Sequence, residues 1–144
     1  MRKEDYSDSE WALLAEVPHA IFAYVAIADG KVEAEELRFQ AEWISAKVPR
    51  IKFSSDRTLN LFMQGVFQHS RPSRSLHEYD DARLRDVLRG FHVLMAKRSP
   101  GERTMLCRAF SKLAQEVADA AGPFYGSRVT KSEQKAVDNI ISWL

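Results

Sequence analysis

Four carboxylates fall within eight residues of one another in this 144-residue chain: Asp29, Glu33, Glu35 and Glu36. Oxygen ligands at that density suit a hard cation. Ca²⁺ takes six to eight of them, and Mg²⁺ takes an octahedral set while keeping several waters. Asp29, Glu33 and Glu36 are the candidate metal ligands, with a turn carbonyl and water completing the shell. The Asp-x-Asp-x-Asp-Gly series of an EF-hand is absent, so the expected affinity for Ca²⁺ or Mg²⁺ is weak. The same residues have a purely structural reading. Acids in a first helical turn complement the helix dipole, worth roughly 0.3 to 1 kcal/mol each, and Glu36 can bond back to an amide near Glu33. Asp29 can brace its turn in the same way. Both readings stand at the level of sequence.

Other chemistry is sparse. His19, His69, His77 and His92 include no pair at the i, i+4 spacing of a helical zinc site, and Cys107 is the one cysteine, so a thiolate cluster and an intrachain disulfide are both excluded. Cys107 lies beside the apolar positions Leu106 and Phe110, where a small buried thiol is the ordinary outcome. No Gly-x-x-x-x-Gly-Lys loop occurs, which argues against nucleotide chemistry. The cations Arg83, Arg85, Arg89, Lys97 and Arg98 form a cluster, with Arg71 and Arg74 nearby in sequence. Arg85 and Arg89 share a helix face and make peripheral contact with an anionic membrane an expectation. Interleaved Asp80, Asp81 and Asp86 blunt the field, and a solvated face is the competing reading. With a net charge of only +1, nucleic acid is an unfavoured partner.

Composition frames these residues. The apolar fraction of 45% beside 28% charged residues is that of a globular protein with a core, and 144 residues suit one domain, 1–144. No apolar run reaches the roughly 20 residues that span a bilayer. The N-terminus lacks the apolar centre of a signal peptide, so the expected compartment is the cytoplasm. Residues 1–72 hold nine Lys/Arg against eleven Asp/Glu, and residues 73–144 hold twelve against nine, an acidic and a basic half.

The elements that must position the acidic stretch read as helices throughout. Ser7-x-x-Glu10 has capping-box spacing, and a helix through Trp11 and Leu14 should follow. Pro18 then either kinks it or opens a second helix carrying Phe22, Val25 and Ala26. Asp29-Gly30 makes the turn. Leu37, Ala41, Ile44 and Val48 recur at helical spacing beyond it, and Pro49 ends that run. Leu59, Phe62, Met63, Val66 and Phe67 form the next stripe. Residues 69–75 are polar and aperiodic, a loop. Leu84, Val87, Leu88, Phe91, Leu94 and Met95 mark a further helix. Ser99-Pro100-Gly101-Glu102 starts another, with Leu106, Phe110, Leu113 and Val117 as its core stripe. The last carries Val137, Ile140, Ile141 and Leu144 after a Thr130-x-x-Glu133 cap. No segment alternates as a strand does.

Setting Val32 beside Val129 aligns residues 28–36 with residues 125–133: an apolar helix, a small-residue turn, a basic residue, Val, and a Glu four positions on. The chain reads as a diverged duplication of a helix-turn-helix pair. With Glu10-Trp11-Ala12-Leu13-Leu14, Pro18, Ala28-Asp29-Gly30-Lys31-Val32 and Glu36, and with residues 124–133 matching a second turn, it resembles the TerB-like family, small bacterial domains first associated with tellurite resistance. That resemblance implies an all-α fold, a compact bundle of about six to seven helices built from two related helix-turn-helix halves. It also implies metal binding at the acidic turn and protein partners in stress-response assemblies near the membrane. Where the second turn would carry Asp-Gly, this chain has Gly126-Ser127, so the metal site is expected to be single. The expected function is that of a non-enzymatic interaction module. The alternative is a hydrolase-type enzyme using metal-bound water at the same carboxylates, for which the sequence shows neither general base nor substrate pocket.

Overall fold

Ser7 and Glu10 set the first helix. The Ser7 amide donates to Glu10 Oε1 at 2.8 Å and the Glu10 amide donates to Ser7 Oγ at 3.2 Å, the reciprocal exchange of a capping box. The computed structural model describes residues 2–26, 28, 52, 57–68, 79–121 and 131–144, and in it α1 runs Asp8–Ala26 with Pro18 inside. Of the two alternatives at Pro18, a second helix opening there is not the one found: a single helix runs through it. An interior proline leaves the carbonyl four residues back without its usual donor and costs about 3 kcal/mol. Leu14, Val17, Ile21 and Val25 are fully buried along the same helix, and at about 1.5 to 3 kcal/mol for each large apolar side chain that burial outweighs the loss.

Four more α-helices follow among the described residues: α2 Arg57–Gln68, α3 Asp81–Ala96, α4 Pro100–Ala121 and α5 Lys131–Trp143, with a short 3-10 turn at Lys3–Asp5 ahead of α1. Their starts follow from local chemistry. The Arg83 amide donates to Asp80 Oδ1 at 2.9 Å at the head of α3, and the Glu102 amide donates to Ser99 Oγ at 3.3 Å at the head of α4, with Pro100 in the first helical position, where its missing donor is not needed. The expected stripes are buried where described: Leu59, Phe62, Met63 and Val66 on α2, whose fifth member Phe67 lies outside the described side chains, all six apolar positions from Leu84 to Met95 on α3, and Leu106, Phe110, Leu113 and Val117 on α4. Ile141 is a correction. It is 46% exposed, because Ala136, Val137 and Ile140 define the inward face of α5 and Ile141 is turned about 100° from Ile140.

α1 is the centre of the bundle. It packs most extensively on α3 and α4 and also meets α5 and α2, and one connected core runs through all five helices. Phe91 and Phe110 meet edge to face at 5.4 Å at the α3–α4 contact, a favoured aromatic geometry. No strand occurs among the described residues, so the chain is all-helical there. The expected helix carrying Leu37 to Val48, the loop at 69–75 and both turns of the internal repeat lie outside the described residues. The count of six to seven helices and the two-halves arrangement rest on those segments.

Candidate interaction site

Asp29, Glu33, Glu35 and Glu36 lie outside the described residues. Among the residues that are described, no three His, Cys, Asp or Glu side chains gather closely enough to hold a metal ion. Glu133, which the internal alignment places opposite Glu36, sits in the first turn of α5 and is only 5% exposed. Glu133 is thus buried in the bundle.

The basic cluster is largely spent on internal pairs. Arg83 Nη2 donates to Glu16 Oε1 at 2.8 Å, and the hydroxyl of fully buried Tyr79 donates to the same oxygen at 3.2 Å. This network ties the head of α3 to the middle of α1. Arg98 Nε donates to Glu102 Oε2 at 2.9 Å, and Arg89 Nη1 to Asp86 Oδ1 at 3.0 Å. Arg85 is exposed and its guanidinium lies 4.8 Å over the Trp143 ring. The field that Arg85 and Arg89 offer to an anionic surface is thus reduced by Asp86 alongside. Cys107 is half-buried, donates to the Leu144 carbonyl at 3.4 Å, and burial pushes its thiol up, away from the thiolate a nucleophile needs. His92 Nε2 donates to the Trp143 carbonyl at 2.7 Å, which fastens the end of α5 to α3.

A groove lies at the opening of the chain. Tyr6 is buried between the 3-10 turn and α1, and Arg98 clamps it: the guanidinium lies 4.1 Å over the Tyr6 ring while Nη1 donates to the Asp5 carbonyl at 2.8 Å. This fixes the N-terminal turn against the bundle. Tyr6, Trp11 and Phe62 then form an aromatic triad, with Trp11 and Phe62 edge to face at 5.6 Å and Tyr6 to Phe62 at 5.7 Å. Outside the triad lies an open groove of about 310 Å³. Its floor is Trp11 and Phe62, one wall is Leu61 and Gly65 of α2, and Arg2, Lys3 and Glu4 of the turn form the rim. Lys3 Nζ stands 5.8 Å over the Trp11 ring. Leu61 is 56% exposed, a large apolar side chain left in water at the groove wall. Comparison of the chain with protein-family models matched none, and comparisons with curated proteins and with solved structures also returned no match.

Trp11 and Phe62 were each visible in the sequence as helix-face residues. Their meeting across 51 positions was not, and neither was the role of Tyr6, which sits before the first cap and belongs to no periodic stripe. Exposed Leu61 beside buried Phe62 is the one sequence signal available, an apolar residue off the regular stripe of α2.

Proposed function

We propose that this chain is a non-enzymatic interaction module of the TerB-like kind, part of a cytoplasmic, tellurite-resistance-type stress-response assembly in a bacterium. In this reading a divalent cation, Ca²⁺ or Mg²⁺, binds weakly at Asp29, Glu33 and Glu36 and orders residues 29–36. The observation that supports a binding role is the groove over Trp11 and Phe62, because a concave apolar floor with an exposed Leu61 at its wall is the form of a site that receives a partner's side chain. Trp11 is also among the residues that carry the family resemblance. Supporting the non-enzymatic half, Glu16, Glu102 and Glu10 are each engaged in structural hydrogen bonds, and Cys107 is held as a thiol.

The cation and the enzyme alternative are separated by one set of measurements. Amide NMR spectra recorded with rising Ca²⁺ should move residues 29–36, and Asp29→Asn should abolish the movement. Unchanged spectra at roughly millimolar Ca²⁺, within the range of weak extracellular-type sites, remove the cation from the account. Hydrolysis of chromogenic phosphate or peptide esters by the metal-loaded protein, lost in Glu36→Gln with the fold retained, would replace the interaction module with the enzyme.

A further inference from the structure

The N-terminal turn closes on itself. The Asp5 amide donates to the Arg2 carbonyl and the Tyr6 amide to the Lys3 carbonyl, both at 3.1 Å, and the Arg2 amide donates to Asp5 Oδ2 at 3.1 Å. Arg2 to Asp5 are all exposed, and Tyr6 is the residue of the turn that enters the core. Apart from Lys3 Nζ, 5.8 Å over the Trp11 ring, the polar hold on the turn among the described residues comes from Arg98. Its Nη1 donates to the Asp5 carbonyl at 2.8 Å and its guanidinium covers the Tyr6 ring at 4.1 Å, while Glu102 braces Nε at 2.9 Å. The start of α1 does not depend on this turn. Ser7 and Glu10 satisfy each other's amides, and the Trp11 amide donates to the Ser7 carbonyl at 2.8 Å. The chain can therefore swing at Ser7 with the cap of α1 intact. Such a swing uncovers the seat of one ring, with Trp11 at 6.2 Å and Phe62 at 5.7 Å from the Tyr6 centroid and Arg98 above it.

We propose that residues 2–6 are an autoinhibitory strap: Tyr6 fills a peptide-binding seat made by Trp11, Phe62 and Arg98, and yields it to a partner segment that presents an aromatic ring with a backbone carbonyl just before it. The proposal rests on the interaction-module reading and names the seat and the chemistry it takes. The present occupant defines that chemistry. Its ring meets two tilted aromatic rings, a cation lies on its face, and the same guanidinium donates to the carbonyl of the preceding residue. An incoming segment with these two groups replaces each contact it displaces, so the exchange is close to balanced. The strap then sets the threshold, because affinity for a partner is reduced by the fraction of chains in which the strap is open.

The test uses the full chain in two arms. In the first, hydrogen exchange on the unaltered protein should find the Tyr6 amide protected about a hundredfold less than that of Ile21, because the strap opens locally while the middle of α1 opens only with the bundle. The second arm supplies the strap in trans, as the peptide Arg-Lys-Glu-Asp-Tyr-Ser and a twin with Ala in place of Tyr. Tyr6→Ala vacates the seat. This variant, its helices checked by circular dichroism, should bind the Tyr peptide at least about tenfold more tightly than the parent chain does, with movement of the Trp11 indole resonance. The twin should not bind, and adding Arg98→Met should abolish binding of the Tyr peptide. Tyr6→Ser replaces Tyr6→Ala if the latter does not fold, and the exchange arm needs no variant. Protection of the Tyr6 amide equal to that of Ile21 overturns the proposal. So does a folded Tyr6→Ala that binds the two peptides alike, or that binds the Tyr peptide no better than the parent does. The interaction-module reading survives each of those results, since it is decided by cross-linking at Leu61, outside the strap.

Discussion

Three glycines lie in helices among the described residues, and at two of them, Gly65 and Gly90, the surrounding space differs enough to give opposite expectations. At Gly65 a methyl group meets Trp11 Cη2 at 4.0 Å, whereas at Gly90 it meets Leu13 Cδ1 at 3.2 Å and Cδ2 at 3.4 Å. Gly65→Ala therefore gains helix propensity without a clash among the described residues. The full gain is about 1 kcal/mol in a helix interior; position 65 lies in the last turn of α2, where the ordering is weaker, so about 0.5 to 1 kcal/mol is expected. In a chain of this length that raises Tm by about 2 to 3 °C and moves the urea midpoint up by about 0.3 to 0.6 M with the slope unchanged. Gly90→Ala has the same propensity gain but must push the half-buried Leu13 side chain aside by a few tenths of an ångström. An off-rotamer shift of that kind costs about 0.5 to 1.5 kcal/mol, and the net should fall near zero. The assay is urea unfolding of both variants followed by circular dichroism. A destabilised Gly65→Ala, or a Gly90→Ala that gains more than Gly65→Ala, would refute the reasoning.

Other expectations follow from single contacts. Arg83→Met removes the donor at 2.8 Å from Glu16, whose side chain is only 14% exposed, and leaves Tyr79 as the remaining hydroxyl donor; a loss of about 1 to 3 kcal/mol should appear as a Tm lowered by about 3 to 9 °C, and an unchanged Tm would mean the pair is idle. Ser7→Ala breaks the capping box and should cost about 1 kcal/mol, read as a lower urea midpoint. Burial pushes the Tyr6 hydroxyl up to about 12, against the opposing pull of Arg98. The folded chain then keeps this proton where the unfolded chain, near 10, releases it, so the contribution of Tyr6 to stability is complete below about pH 10 and is lost as pH rises toward 12. Tyr6→Phe should flatten that part of the alkaline decline, and a profile identical to the parent would contradict the assignment.

Much of the bundle could be read directly from the order of residues, because helix starts and inward faces are local properties. Ser7 and Glu10 bond as their spacing implies, Ser99 and Pro100 open α4, and the stripes of α2, α3 and α4 are the ones buried. Pro18 shows where local reasoning stops: spacing left open whether it opens a second helix, and a single helix runs through it with Leu14, Val17, Ile21 and Val25 buried around it. Ile141 shows the reverse, an apolar residue at helical spacing left in water because its helix is narrow on its inward side. The groove was not legible, since Lys3, Trp11 and Phe62 come from the N-terminal turn, α1 and α2 and are brought together by packing alone. The pairing of Glu16 with Arg83 is hidden for the same reason, 67 positions apart. The acidic stretch at Asp29, Glu33 and Glu36 was the clearest chemical signal in the sequence and lies outside the described residues, so its role is carried by the cation titration.

The claim that this chain acts by binding a protein partner is tested most directly by site-specific cross-linking in the cells that make it. A photoreactive benzophenone side chain replaces Leu61 at the groove wall in one strain, and in a second it replaces Asp138, exposed on α5 and outside the groove. The account predicts discrete adducts from position 61 that are absent from position 138. Adducts that are equal at the two positions, or missing from both, would contradict it.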